Sequence, residues 1–170
     1  MAELASSERL QPSLLDRLTD HEPDKSVEAR DQRVLSIRAL RQGVLRDLAW
    51  LLNTTKLIPT KDSVSYPIVA NSVLNFGMPD ISGVSLSGLD LAELERSIRQ
   101  AVWDFEPRII RNTVVVKAIS ADQRVASYNK VIFEIEGDMW AQPYPERLYL
   151  RTELDMEGSV FSISENSGRA

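Results

Sequence analysis

Glu106, Pro107 and Arg108 set a carboxylate and a guanidinium two residues apart, on either side of a rigid imino acid. Two kinds of chemistry suit that pattern. In the first, Glu106 is the general acid of a two-carboxylate glycosidase. That role needs an apolar pocket or a neighbouring negative charge to keep a carboxyl group protonated near neutrality. A neighbouring cation works the other way, and Arg108 stands two residues off. Asp104 is close in sequence, but helical periodicity puts it off the apolar stripe that ends at Phe105. In the second, nothing reacts. The two groups either close an internal ion pair at a corner of the fold or project into a partner, where an arginine clamps a carboxylate or backbone carbonyls through paired hydrogen bonds.

The rest of the chain offers little for catalysis. The one histidine, His21, lies in the polar run His21-Glu22-Pro23-Asp24-Lys25-Ser26, and there is no cysteine. A solvated surface histidine explains it better than a metal ligand or a base. Disulfides and thiolate metal sites are excluded. The seven glycines are scattered and form no phosphate-cradling loop. No Gly-x-Ser-x-Gly occurs, which argues against a serine hydrolase. No catalytic residue, metal or cofactor is therefore expected.

Composition narrows the class further. With 170 residues, 43% of them apolar, the chain suits one domain able to bury most of its apolar surface. A net charge of −5 argues against a general binder of nucleic acid or anionic membrane, which needs a basic face. The acidic start, Met1 to Glu8, lacks the apolar core of a signal peptide, and no run approaches the roughly 18 apolar residues of a membrane span. A soluble intracellular protein is the expectation.

The elements that must position the Glu-Pro-Arg triplet can be read from periodicity. Leu91, Leu94, Ile98, Ala101, Val102 and Phe105 recur at spacings of three and four, the stripe of a helix with one buried face. Ser87 and Asp90 offer a capping-box start, and Pro107 biases Glu106 out of the helical region, so the helix should end near Phe105. A second helix, surest from Ser36 to Asn53, carries Ile37, Leu40, Val44, Leu45, Leu48, Leu51 and Leu52. Arg38, Arg41, Arg46 and Asp47 lie off that stripe, and Trp50 beside it reads as a partly exposed aromatic or, by preference, as core padding. Whether residues 27–35 are helical or extended stays open.

Upstream, Ser13 caps a turn or two of helix with Leu14, Leu15 and Leu18 on one side. So short a helix either docks on a partner or folds back on its own domain, since alone it cannot bury its leucines. Residues 57–88 are rich in breakers, with one short helical or turn segment from Val69 to Phe76 and Gly77 as its C-cap.

After Arg108 the period changes to two. Strands are expected over Thr113–Ile119, Tyr128–Glu136 and Arg147–Leu154, with a turn at Met156–Ser159 and a short last strand over Val160–Ile163. Helices followed by an antiparallel meander make an α+β domain, two main helices packed on three to four strands. The organisation expected is an N-terminal tail and docking segment over 1–26, a domain over 27–163 and a tail over 164–170. Such a meander leaves a free strand edge, expected at Arg147–Leu154 or Thr113–Ile119, that can accept another chain's strand.

Four motifs in order carry a resemblance: Leu14-Leu15-Asp16-Arg17-Leu18, the run from Arg46 to Thr54, the run from Ser72 to Asp80, and Phe105-Glu106-Pro107-Arg108. From about Pro12 to Phe161 the chain resembles the TssE family of bacterial type VI secretion baseplate subunits, related to the lysozyme-like wedge proteins of contractile phage tails. Phe76 and Met78 are conservative fits to that pattern. The resemblance implies a cytoplasmic, non-enzymatic protein in a wedge with TssF and TssG, beside the TssK adaptor and around a VgrG hub. It implies an initiation point for the TssB–TssC contractile sheath. It also implies that Glu106, Pro107 and Arg108 are a signature triplet contacting the wedge's helical bundle, and that the lysozyme label is historical.

Overall fold

The computed structural model describes residues 13–19, 23–24, 36–58, 65–70, 72–85, 88–119, 129–141 and 144–165. The expectations for the first eleven residues, His21, residues 27–35, Ser87 and the last five residues lie outside them.

The described helices are α1 (Leu14–Leu18), α2 (Ile37–Leu52), α3 (Pro67–Ala70) and α4 (Leu91–Phe105). One sheet follows, of strands β1 (Val115–Ile119), β2 (Lys130–Met139), β3 (Glu146–Asp155) and β4 (Val160–Glu165). All neighbours are antiparallel and the order is β1-β2-β3-β4. This is the α+β class expected. Leu40, Val44, Leu48, Leu51 and Leu52 of α2, with Leu94, Ile98, Ala101 and Val102 of α4, join one core with Phe133, Ile135, Leu148, Leu150, Leu154 and Phe161 of the sheet. Removing these side chains from water is the main force holding the layers together.

Both long helices start at a side-chain cap. Ser36 Oγ accepts from the Ala39 N–H at 3.1 Å. At α4 the cap is Asp90 itself, one carboxylate oxygen accepting from Ala92 N–H at 2.9 Å and Glu93 N–H at 3.1 Å. Asp90 is the N-cap residue of α4, its short side chain reaching two free donors of the first turn. α4 ends at Phe105, as Pro107 requires, and Glu106 leaves the helix at φ −121°.

Strand β3 follows its alternation closely: Leu148, Leu150, Thr152 and Leu154 are buried while Arg147, Tyr149 and Arg151 face solvent. It is an interior strand, however, paired with β2 on one side and β4 on the other. Arg147–Leu154 is therefore not an edge, and among the described residues the edges are β1 and β4. β1 starts at Val115, not Thr113, because Arg111–Thr113 form a 3-10 turn. There the Thr113 hydroxyl donates to the Ile110 carbonyl (2.7 Å) and accepts from the Asp138 N–H (2.8 Å), standing in for a ladder bond.

Two further expectations are corrected. Trp50 is 52% exposed, and its ring lies under the Arg46 guanidinium, 5.2 Å from centroid to Cζ. Val69–Phe76 is not one segment but two, α3 and a 3-10 turn over Val73–Asn75. Buried Asn75 ties them, accepting from Ile58 N–H (2.8 Å) and donating to the Ala70 carbonyl (3.0 Å). Gly77 does not cap a helix. At φ +127° it lets Met78 pair with the strand-like stretch after α2, and a Cβ there would lie 2.2 Å from the Thr54 carbonyl oxygen.

Candidate functional site

The corner after α4 is built from both sides. Pro107 prevents the helix from continuing, and the following residues are laid against the end of β2. Ile110 N–H donates to the Asp138 carbonyl at 2.8 Å, and Trp140 N–H donates to the Arg108 carbonyl at 2.7 Å. Gly137 makes room for this, since a Cβ there would sit 2.8 Å from Ile109 Cγ2. The backbone of Arg108 is thereby held between a helix end and a sheet.

Within that frame Glu106 turns inward and is only 3% exposed, while Pro107 stays exposed. Arg108 Nε donates to Glu106 Oε1 at 2.7 Å, and Nη2 donates to Oε2 at 2.5 Å. The Arg108 backbone N–H adds a third bond to Oε1 at 3.2 Å. The same Nη2 reaches Asp47 Oδ2 on α2 at 2.6 Å. Asp47 Oδ1 accepts from Arg46 Nε at 2.9 Å, and Arg46 Nη1 donates to Asp16 Oδ1 on α1 at 2.5 Å. Five alternating charges, Glu106–Arg108–Asp47–Arg46–Asp16, thus run from the helix–strand corner across α2 to the N-terminal helix.

Gly43 is the floor of this arrangement. It is buried on α2, and a Cβ placed there would lie 3.4 Å from Asp16 Oδ2 and 3.5 Å from Arg108 Nη1. Arg108 Nη1 itself is buried without an acceptor.

Electrostatics favour the charged forms along the line. Burial works against the Arg108 charge, but hydrogen bonds and Coulombic attraction from Glu106 and then Asp47 outweigh it and raise its pKa. The Arg46 hydrogen bond, helped by Ser13 and opposed by burial, lowers the pKa of Asp16. Arg46 is raised in turn, chiefly by Asp16.

The structure joins two groups of residues that the sequence presents separately. Tethered through Asp16, α1 turns its apolar side outward: Leu14 is 70%, Leu15 42% and Leu18 74% exposed. At the other end of the same line stand Glu106, Pro107 and Arg108. The sequence alone does not mark Asp16, Arg46, Asp47 and Gly43 as site residues. The available signal was polar placement, with Arg46 and Asp47 off the apolar stripe of α2 and Asp16 between the leucines of α1.

Chemically, the corner is a clamp. Both Glu106 oxygens are engaged by Arg108 and the carboxylate is buried, so neither oxygen is presented to a substrate. Among the described residues no group of three or more His, Cys, Asp or Glu can hold a metal ion. No helix among them is long and apolar enough to cross a membrane.

A family model described as "Baseplate wedge protein gp25" matches residues 38–144. The matched span holds α2, α4, the corner, β1 and β2, hence Arg46, Asp47, Glu106 and Arg108, while Asp16 and strands β3 and β4 fall outside it. No curated protein and no solved structure matches the chain.

Proposed function

Since this chain belongs to the baseplate wedge protein gp25 family, the family of TssE-like baseplate proteins, we propose that it is the TssE subunit of a bacterial type VI secretion baseplate. In this reading it works in the cytoplasm, joins TssF and TssG in the wedge beside TssK and the VgrG hub, and starts TssB–TssC sheath growth. The family match carries the reading, and the four ordered motifs support it.

The exposed Pro107 and the outward Leu14, Leu15 and Leu18 are proposed as contacts to the wedge. Glu106 and Arg108 take part by holding the corner rigid, and Arg108 keeps a solvent-facing portion available to a partner. No hydrolytic role is proposed for Glu106, because a general acid must reach the glycosidic oxygen. A muramidase assay comparing the natural chain with Glu106→Gln checks this, and Glu106-dependent cleavage of peptidoglycan would count against the structural role.

For the sheath, the proposed template is β4. Asn53 pairs with Phe161 as a strand would, accepting from its N–H at 2.8 Å and donating to its carbonyl at 2.9 Å. The backbone groups of Phe161 therefore point away from β3, and two-residue alternation turns those of Ile163 the same way. At β1 the corresponding side is partly closed by Glu95, which accepts from Ala118 N–H at 2.6 Å. Asn53 already occupies the outward groups of Phe161, so the point of addition proposed on β4 is Ile163. Ile163→Pro removes an outward donor without touching the β3 ladder. It should leave the circular dichroism spectrum unchanged while blocking sheath nucleation, and normal nucleation by the folded variant would rule this edge out.

A further inference from the structure

Trp103, in the last turn of α4, packs partly against the core and carries two arginines on its ring. Arg99 Cζ lies 5.6 Å and Arg111 Cζ 4.9 Å from the indole centroid. Arg99 is one helical turn earlier, whereas Arg111 comes from the 3-10 turn beyond the corner, so the stack bridges the Glu106–Arg108 bend. Two other arginines lie over aromatic rings, Arg46 over Trp50 and Arg147 over Tyr149. Both of these are neutralised by carboxylates: Arg46 by Asp16 and Asp47, and Arg147 by Glu136 and Asp138. Among the described residues, Arg99 and Arg111 have no ion pair and no hydrogen bond from their guanidinium groups; the ring contact is their only interaction.

That difference has a physical reading. A guanidinium lying over an indole face is attracted to it without using its five N–H donors, which stay free to meet an acceptor. The contact also restrains the side chain, so less rotamer freedom remains to be lost on binding. The chain carries 25 acidic against 20 basic residues, yet none of the described acids is placed against this pair. Trp103 Nε1 is likewise buried with no acceptor. A rigid aromatic with two unmatched cations complements carboxylates brought by another molecule. The acidic balance of the whole chain disfavours a polyphosphate, which would meet long-range repulsion from the remaining surface.

We propose that Arg99, Trp103 and Arg111 form a docking surface for an acidic peptide segment of a partner protein, its carboxylates held by the two guanidinium edges. The surface is separate from the leucines of α1 and from the β4 edge, and it does not depend on which assembly the chain serves.

The test uses the full-length chain, with an oligo-glutamate peptide as probe and the indole N–H resonances as readout. Trp50 is the internal control, since the arginine over it is already neutralised. The peptide should shift the Trp103 signal saturably and leave that of Trp50 in place. The Arg99→Ala/Arg111→Ala variant should weaken binding tenfold or more, and the double Arg→Lys variant severalfold, because lysine keeps the charge but not the planar fork. The Lys variant also covers the case in which the Ala variant does not fold. An unmoved Trp103, equal affinity in the Lys variant, or tighter binding of a DNA duplex of matched charge would each overturn the proposal.

Discussion

Arg108 Nη2 donates to Glu106 Oε2 at 2.5 Å and to Asp47 Oδ2 at 2.6 Å. One nitrogen thus joins the end of α4 to the middle of α2. Glu106 is buried at a bend where the chain changes from helix to sheet, and among the described residues Arg108 is the only side-chain partner of its carboxylate. The corner therefore keeps its shape as long as both members of the pair are present.

Arg108→Ala should lower the unfolding free energy by about 3–5 kcal/mol, because it leaves a buried carboxylate unpaired. The paired change Glu106→Gln with Arg108→Met should cost clearly less than Arg108→Ala alone, since no buried charge is stranded. Urea unfolding of the three proteins measures the coupling. Equal losses in the single and double variants would show that the pair is not the source.

The tether of α1 depends on pH through Asp16. Its carboxyl is held below the ordinary value of 3.8, first by the Arg46 hydrogen bond. A folded-state pKa below the unfolded one gives a contribution that is full above that ordinary value and is lost as pH falls through the depressed one. The Asp16 carboxyl carbon resonance should therefore titrate with a midpoint under 3.8, and Arg46→Ala should move that midpoint upward. A midpoint unchanged by Arg46→Ala would detach α1 from this line of charges.

Gly77→Ala should destabilise by at least about 1–3 kcal/mol, from strain at a positive φ, with backbone overlap at Thr54 adding to it. Thermal unfolding gives the number. A neutral result would mean that the Thr54–Met78 contact is dispensable.

Much of this architecture was legible because local chemistry decides it. Pro107 ends α4 whatever surrounds it, and the alternation from Leu148 to Leu154 fixes which side of β3 is buried. Strand order was not legible. The residues of β3 look the same whether it lies inside the sheet or at its edge, and only β4 pairing with it decides. The start of β1 depended on a Thr113–Asp138 contact between distant residues, and the placement of Trp50 on an arginine that its apolar character does not announce. The charge line was hidden for the same reason: Arg46 and Asp16 are 30 residues apart, and Arg108 and Asp47 are 61 apart. Glu106-Pro107-Arg108 was visible as a triplet, but its connection to the leucines of α1 exists only once the chain is folded.

The most direct test of the assembly role is co-expression of the full-length chain with TssF and TssG, followed by size-exclusion chromatography. One complex containing all three proteins is expected, with loss of this chain from it when Leu14, Leu15 and Leu18 are changed together to serine in a still-folded variant. Elution of the natural, folded chain alone, away from TssF and TssG, would contradict that role.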